Sequence, residues 1–146
     1  MITEFKNEFN RIAGLKGATF VSKSVSELQD FAQGFNFDKP LINLIPMETF
    51  RSNIGASGQV IYNGTCKIQF ITKAIKSDNY QDKNDILIDE MLQLSTKFYR
   101  ELNKNTNFIF NATNWDWTNT ILRSYLSQYC VGIEATIIFN TACNRV

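Results

Sequence analysis

Histidine is missing from all 146 residues of this chain, and its absence excludes much of enzymology. Without an imidazole there is no Ser-His-Asp or Cys-His nucleophile system, and the commonest metal ligand is gone. Cysteine is scarce: Cys66, Cys130 and Cys143 stand far apart, without a C-x-x-C pair. A zinc site needs clustered ligands, so these thiols are expected to be small buried or partly buried apolar groups in a reducing compartment. No apolar run approaches the roughly 20 residues of a membrane span. The opening Met1-Ile-Thr-Glu-Phe-Lys-Asn-Glu8 has no apolar signal-peptide core, which sets the expectation of cytosolic synthesis. Gly55-Ala-Ser-Gly58 lacks the lysine and helix start of a phosphate loop. Asn63-Gly-Thr and Asn111-Ala-Thr match the glycosylation pattern only by chance in such a chain. Charge of either sign is not in excess. The net value of +1 supplies no field for gathering nucleic acid or anionic lipid.

What is present suits an ordinary globular chain: 44% hydrophobic and 20% charged residues, enough to bury a core within one domain, residues 1–146. The sixteen asparagines are dispersed, which argues against a prion-like tract.

Hydrophobic periodicity lays out the elements. Ile2, Phe5, Phe9 and Ile12 recur at spacings of three and four and predict an amphipathic helix over about 2–13, stopped by Gly14 and Gly17. Ala18–Ser22 fits a short strand. Ser24 and Glu27 form a capping box, and Leu28, Phe31 and Ala32 follow at helical spacing, so a helix is expected at about 25–33, ended by Gly34. The run Leu41–Ile45 lies between Pro40 and Pro46, which places a short strand near a sheet edge. A polar arm, loop or hairpin, then occupies about 47–65. Gly58–Ala74 alternates as a long strand, with Cys66, Ile68, Phe70 and Thr72 on one face and Lys67, Gln69, Ile71 and Lys73 on the other. Asn63-Gly64 interrupts it, as a turn or, by preference, a bulge or bend.

The strongest pattern is a helix over about 82–103. Leu87, Met91, Leu94, Phe98 and Leu102 form its stripe, widened by Ile88, Leu92, Ser95 and Tyr99. Asp82 is placed to cap it, and its acidic start and basic end suit the helix dipole. At 1.5 Å per residue it spans roughly 33 Å, enough to cross a whole sheet. The C-terminal strands take up about 107–140. Asn107–Thr113 is a short strand, an extended run reaches about Tyr129, and Gly132 permits a reversal or kink. Ile133, Ala135, Ile137 and Phe139 then alternate with Glu134, Thr136, Ile138 and Asn140. The order of elements predicts an α+β fold: a mainly antiparallel sheet with one long helix packed on one face and an N-terminal helix beside it.

Chemistry-bearing groups are few. Asp85, Asp89 and Glu90 read as a solvated helix start. Glu134 stands out because it sits mid-strand among apolar residues; its face meets solvent, a lumen or a partner. Trp115 and Trp117 share a strand face and can stack bases or sugars, but such pairs more often anchor a core or an interface. Arg51 and Asn53 sit in the polar arm. Trp115, Trp117, Glu134, Arg51 and Asn53 are therefore the candidate interface residues, with no catalytic, cofactor or metal set among them. No enzymatic activity is expected.

The proline-bounded run Lys39–Pro46, the strand Cys66–Lys73, the acidic-start helix Asn84–Leu102 and the closing strand pair Leu122–Phe139, with its Gly132-Ile-Glu134-Ala-Thr136-Ile-Ile-Phe139 strand, resemble, in this order, the small neck and tail-completion proteins of tailed bacteriophages, tail terminators in particular. The resemblance covers about residues 1–140 and rests on pattern, not on an invariant motif. It implies a structural virion protein, made in the host bacterial cytoplasm, that assembles as a homo-oligomeric ring, a hexamer. Its partners would be tail-tube and neck or connector proteins, with no membrane, no cofactor, and DNA passing through the lumen without specific binding. The alternative from another class is a small α+β ligand- or peptide-binding module, which requires an enclosed apolar pocket and a monomer.

Overall fold

The computed structural model describes residues 2–76, 80–104, 117–128 and 130–143. Helix α1 spans Ile2–Leu15 and buries Phe5, Phe9, Ile12 and Ala13, the stripe its periodicity dictates. Its end is a Schellman motif. Gly17 takes φ +70°, the Ala18 N–H reaches back to the Ala13 carbonyl at 2.9 Å, and the Gly17 N–H to Gly14 at 3.3 Å. Gly17 is thus the stop, whereas Gly14 stays inside the helix. Strand β1 (Thr19–Val21) follows. Helix α2 (Val25–Gly34) starts on the expected capping box: Ser24 Oγ accepts from the Glu27 N–H, and the Glu27 carboxylate accepts from the Ser24 N–H. The Ser24 hydroxyl, which donates to the Glu27 carboxylate at 2.8 Å, and then the Ser24 N–H hold the Glu27 carboxyl below its ordinary value.

Strand β2 (Leu41–Leu44) is buried at every position and lies between β1 and the long strand β4, one place in from the edge. The prolines sit outside the four paired residues, so they remove no ladder donor from them. The Pro40 carbonyl even accepts the Thr19 N–H at 2.9 Å. The arm is a hairpin: β3 (Arg51–Ile54), a turn through 55–59, and β4 (Val60–Lys73). Asn63-Gly64 makes neither turn nor bulge, because β4 pairs without interruption from Val60↔Cys143 to Lys73↔Cys130. A side chain at Gly64 would press on the Phe139 ring and on Phe50, so packing is what asks for glycine there.

Helix α3 runs from Tyr80 to Asn103, two residues earlier than its apolar stripe suggests, so Asp82 lies in the first turn and not at the cap. Ile88, Met91, Leu94, Ser95, Phe98, Tyr99 and Leu102 are buried, but Leu92 is exposed. Asn84 secures the approach to the helix by bonding both the N–H (2.8 Å) and the carbonyl (3.2 Å) of Ile75. The expected strand 107–113 and Trp115 lie outside the described residues. Strand β5 (Trp117–Ser124) ends at a one-turn helix, α4 (Tyr125–Gln128), and β6 (Cys130–Cys143) returns antiparallel to it. The reversal is therefore made at α4, where Leu126 adopts φ 52°, and not at Gly132. Gly132 stands inside β6, where an added Cβ would run into the Phe70 carbonyl oxygen of β4.

The sheet order is β1-β2-β4-β6-β5, with β3 on the free half of the same side of β4 as β2. Only β1–β2 is parallel, which makes the fold α+β with a mostly antiparallel sheet, as expected. Helices α1 and α3 cover one face. Phe5, Phe9, Phe70, Phe98 and Phe139 interlock there edge to face, with ring centroids 5.1–5.9 Å apart. Such pairs add about 1 kcal/mol each beyond their buried area.

Candidate functional site

Strand alternation decides what the opposite face presents. Because Cys66, Ile68 and Phe70 point to α3, their neighbours Thr65, Lys67, Gln69 and Ile71 point away, and the β4–β6 register aligns Glu134, Thr136, Ile138 and Asn140 beside them. At one end this face is covered: Leu28 and Ala32 of α2 and Leu126 of α4 pack on Leu41, Ile71 and Cys130. Beyond that cover lie Thr65, Lys67, Thr118, Thr120, Ile138 and Asn140, all exposed, with Thr136 half-buried.

A polar row marks the boundary between covered and open ground. Asn43 of β2 stands opposite Gln69 of β4, Gln69 opposite Glu134 of β6, and Glu134 opposite Thr120 of β5. Asn43 Nδ2 donates to Gln69 Oε1 at 3.0 Å and to the Lys23 carbonyl at 3.0 Å, and Asn43 Oδ1 accepts the Lys23 N–H at 2.8 Å. Gln69 Nε2 donates to the Tyr125 hydroxyl at 2.6 Å and to Glu134 Oε1 at 3.1 Å. Asn43 and Gln69 are fully buried, and every polar group of both amides has a protein partner. Burial without partners would cost each amide a few kcal/mol, so the row is stable only in this register. A one-residue slip of β4 would turn Gln69 into the aromatic core. Burial raises the Tyr125 hydroxyl above its ordinary value; the Gln69 bond opposes this and the nearby Glu134 carboxylate adds to it.

The sequence-derived candidates divide between regions. Glu134 belongs to the polar row. Arg51 and Asn53 are both exposed on β3, opposite Asn63 and Ile61, on the side of the sheet that bears the row. Trp117 lies on the α3 side, tilted against Tyr99 with centroids 4.4 Å apart, so it borders the core. Asn43, Gln69 and Tyr125 escaped the sequence reading. Asn43 had a signal: it is the one polar residue inside the run Leu41–Ile45.

On the strands of this side Arg51, Lys67 and Lys73 are exposed and Glu134 is half-buried, while Glu27 and Asp30 are exposed on α2 at the covered end. Burial pushes the Cys66 and Cys130 thiols up to about 12, away from the reactive thiolate form. Among the described residues no three His, Cys, Asp or Glu side chains are placed to hold a metal, and no helix is long and apolar enough to cross a membrane. A hollow of about 370 Å³ lies at the rim of the covered end, lined by Gln33–Asp38 and Lys73. Its lining mixes two phenylalanines with amides and opposite charges, unlike the mostly apolar walls typical of a small-molecule pocket. No protein-family model matches the chain, and no curated protein sequence matches it.

Proposed function

We propose that this chain is a structural virion protein of a tailed phage, forming a ring at the junction of neck and tail. In this reading it is terminator-like: it joins the tail tube to the head-side connector and lets DNA pass through its centre. The observation that carries the reading is the asymmetry of the sheet. One face is sealed by two helices, and beyond the cover of α2 and α4 the other exposes threonine and asparagine, with Arg51 and Lys67 as its exposed charges. A ring that turns this open face inward has a hydrated lumen that offers DNA no dense row of cations. Lys/Arg-rich surfaces hold DNA by releasing counterions from its phosphates; a mixed, hydroxyl-rich wall does not. The β3–β4 hairpin supplies an arm beyond the helical cover, consistent with contact to a neighbouring subunit.

The test is electron microscopy of the purified chain, alone and mixed with tail tubes, with native mass spectrometry to count subunits. Closed hexameric rings that cap tubes are expected. A chain that stays monomeric and leaves the tube ends bare sinks the proposal, as does a ring whose channel is densely lined with lysine and arginine.

A further inference from the structure

Where α2 ends, at the rim of the covered end of the sheet, the hollow described above joins two kinds of surface. Its volume of about 370 Å³ is at the small end of the roughly 300–1,000 Å³ usual for ligand sites. Phe35 and Phe37 supply the apolar part. Both are half-buried, and they meet edge to face with ring centroids 4.8 Å apart. Phe31 stacks on Phe35 at 5.2 Å, and all three rings pack on the cluster of Leu28, Leu41 and Ile71. Rings seated in this way are fixed before any ligand arrives. Around them Gln33, Asn36, Asp38 and Lys73 are exposed. Asn36 Nδ2 donates to Asp38 Oδ2 at 2.9 Å, which orients the carboxylate while occupying one of its oxygens.

Such a mixture of groups selects by conflict. An anion entering the hollow meets the Asp38 carboxylate, and a cation meets the Lys73 ammonium. A wholly apolar molecule strips water from both charges and from the amides without replacing it. A neutral polyhydroxyl ring avoids each of these penalties. Every hydroxyl both donates and accepts, so it can give to the Asp38 carboxylate and the amide carbonyls while taking from the amide N–H groups and from Lys73. Its weakly positive C–H face packs on the negative face of an aromatic ring. Independently of the ring reading above, we infer that the hollow is a binding site for a neutral saccharide, with Phe35 and Phe37 against the sugar's C–H face and Gln33, Asn36, Asp38 and Lys73 about its hydroxyls. The hollow is open and its polar groups stay hydrated until the sugar enters, so the affinity is millimolar. Gly34, the last residue of α2, also lines the hollow, and a Cβ added there meets nothing within 4 Å. A larger side chain at Gly34 therefore fills the hollow without disturbing the packing, and it suits a helix better than glycine does.

The experiment is an amide NMR titration of the full chain with glucose, N-acetylglucosamine, maltose and cellobiose, beside glycerol and glycine betaine. Saturable shifts at Phe35, Asn36, Phe37, Asp38 and Lys73 with at least one of the sugars are expected. Asp38→Ala should weaken that binding roughly tenfold, as loss of a hydrogen bond to a charged group does. Gly34→Leu should abolish it, with unchanged circular dichroism and melting to verify the fold. Several results overturn the inference: no saturable shift with any of the four sugars, equal shifts from glycerol, or saturation by glycine betaine alone. Sugar-induced shifts that persist undiminished in Gly34→Leu or in Asp38→Ala overturn it too, since the sugar would then bind elsewhere.

Discussion

The two faces of the sheet share the same strands but are built from opposite materials. On the α3 side, Phe70, Phe98 and Phe139 sit fully buried in an edge-to-face aromatic cluster. On the other side, Gln69 and Glu134, from the same strands as Phe70 and Phe139, build a hydrogen-bonded row, and past it the face is left to water. The first face stabilises by apolar area and is tolerant of direction. The second contributes less to stability but is strict about geometry, because an amide with no partner is penalised where a displaced methyl group is not. The dry face therefore holds the domain together, and the polar row states which register is correct.

That contrast can be broken most sharply at Phe98. Phe98→Ala should cost about 3–5 kcal/mol, read as a lowered urea midpoint, because α3 cannot collapse onto the gap. A loss under about 1 kcal/mol would mean that the aromatic cluster is not the main store of stability. Alkaline pH is the next lever. The unfolded Cys66 thiol ionises near 9 and the folded one only near 12. The unfolded state therefore loses its proton first, and stability, fully present below about pH 9, should fall as pH climbs toward 12. Burial also holds the Tyr99 hydroxyl well above its ordinary value, which acts in the same direction. Urea titrations at successive pH values measure the slope, and a flat profile would contradict the burial of both groups.

On the polar side, Gln69→Leu should cost about 1–3 kcal/mol despite being more hydrophobic, since it strands Asn43 and removes the bond to Glu134. A stabilised variant would show that the row is dispensable. Tyr99→Phe should be neutral or stabilising by up to about 1 kcal/mol, because the buried Tyr99 hydroxyl has no hydrogen-bond partner among the described residues. Thermal denaturation distinguishes this from a loss, which would reveal a partner for that hydroxyl. Smallest of all, Thr118→Ala on the open face should change stability by less than about 0.5 kcal/mol, and a larger loss would show that this surface is not open in solution.

Much of this architecture is legible in local pattern. The stripe of α1, the capping box at Ser24 and Glu27, and the alternation of Ile133–Phe139 each encode their element, because burial on one face imposes a period within a few residues. The candidate site is less legible. Glu134 is conspicuous as a carboxylate in an apolar strand, but its partner Gln69 reads as one more outward residue between Lys67 and Ile71. Tyr125 belongs to the row only because a one-turn helix takes the place of the extended chain expected there.

Composition and periodicity by themselves determined that this is an α+β chain with one dominant helix, no imidazole chemistry and a near-neutral charge. Those properties are local or additive, so no fold is needed to express them. Tertiary structure alone decided that β2 is an interior strand, that Asn63-Gly64 is straight, and that the chain reverses at α4. Each of these depends on pairing between strands far apart in sequence. Such pairing is chosen by the fit of whole faces and registers, which no window of the sequence contains.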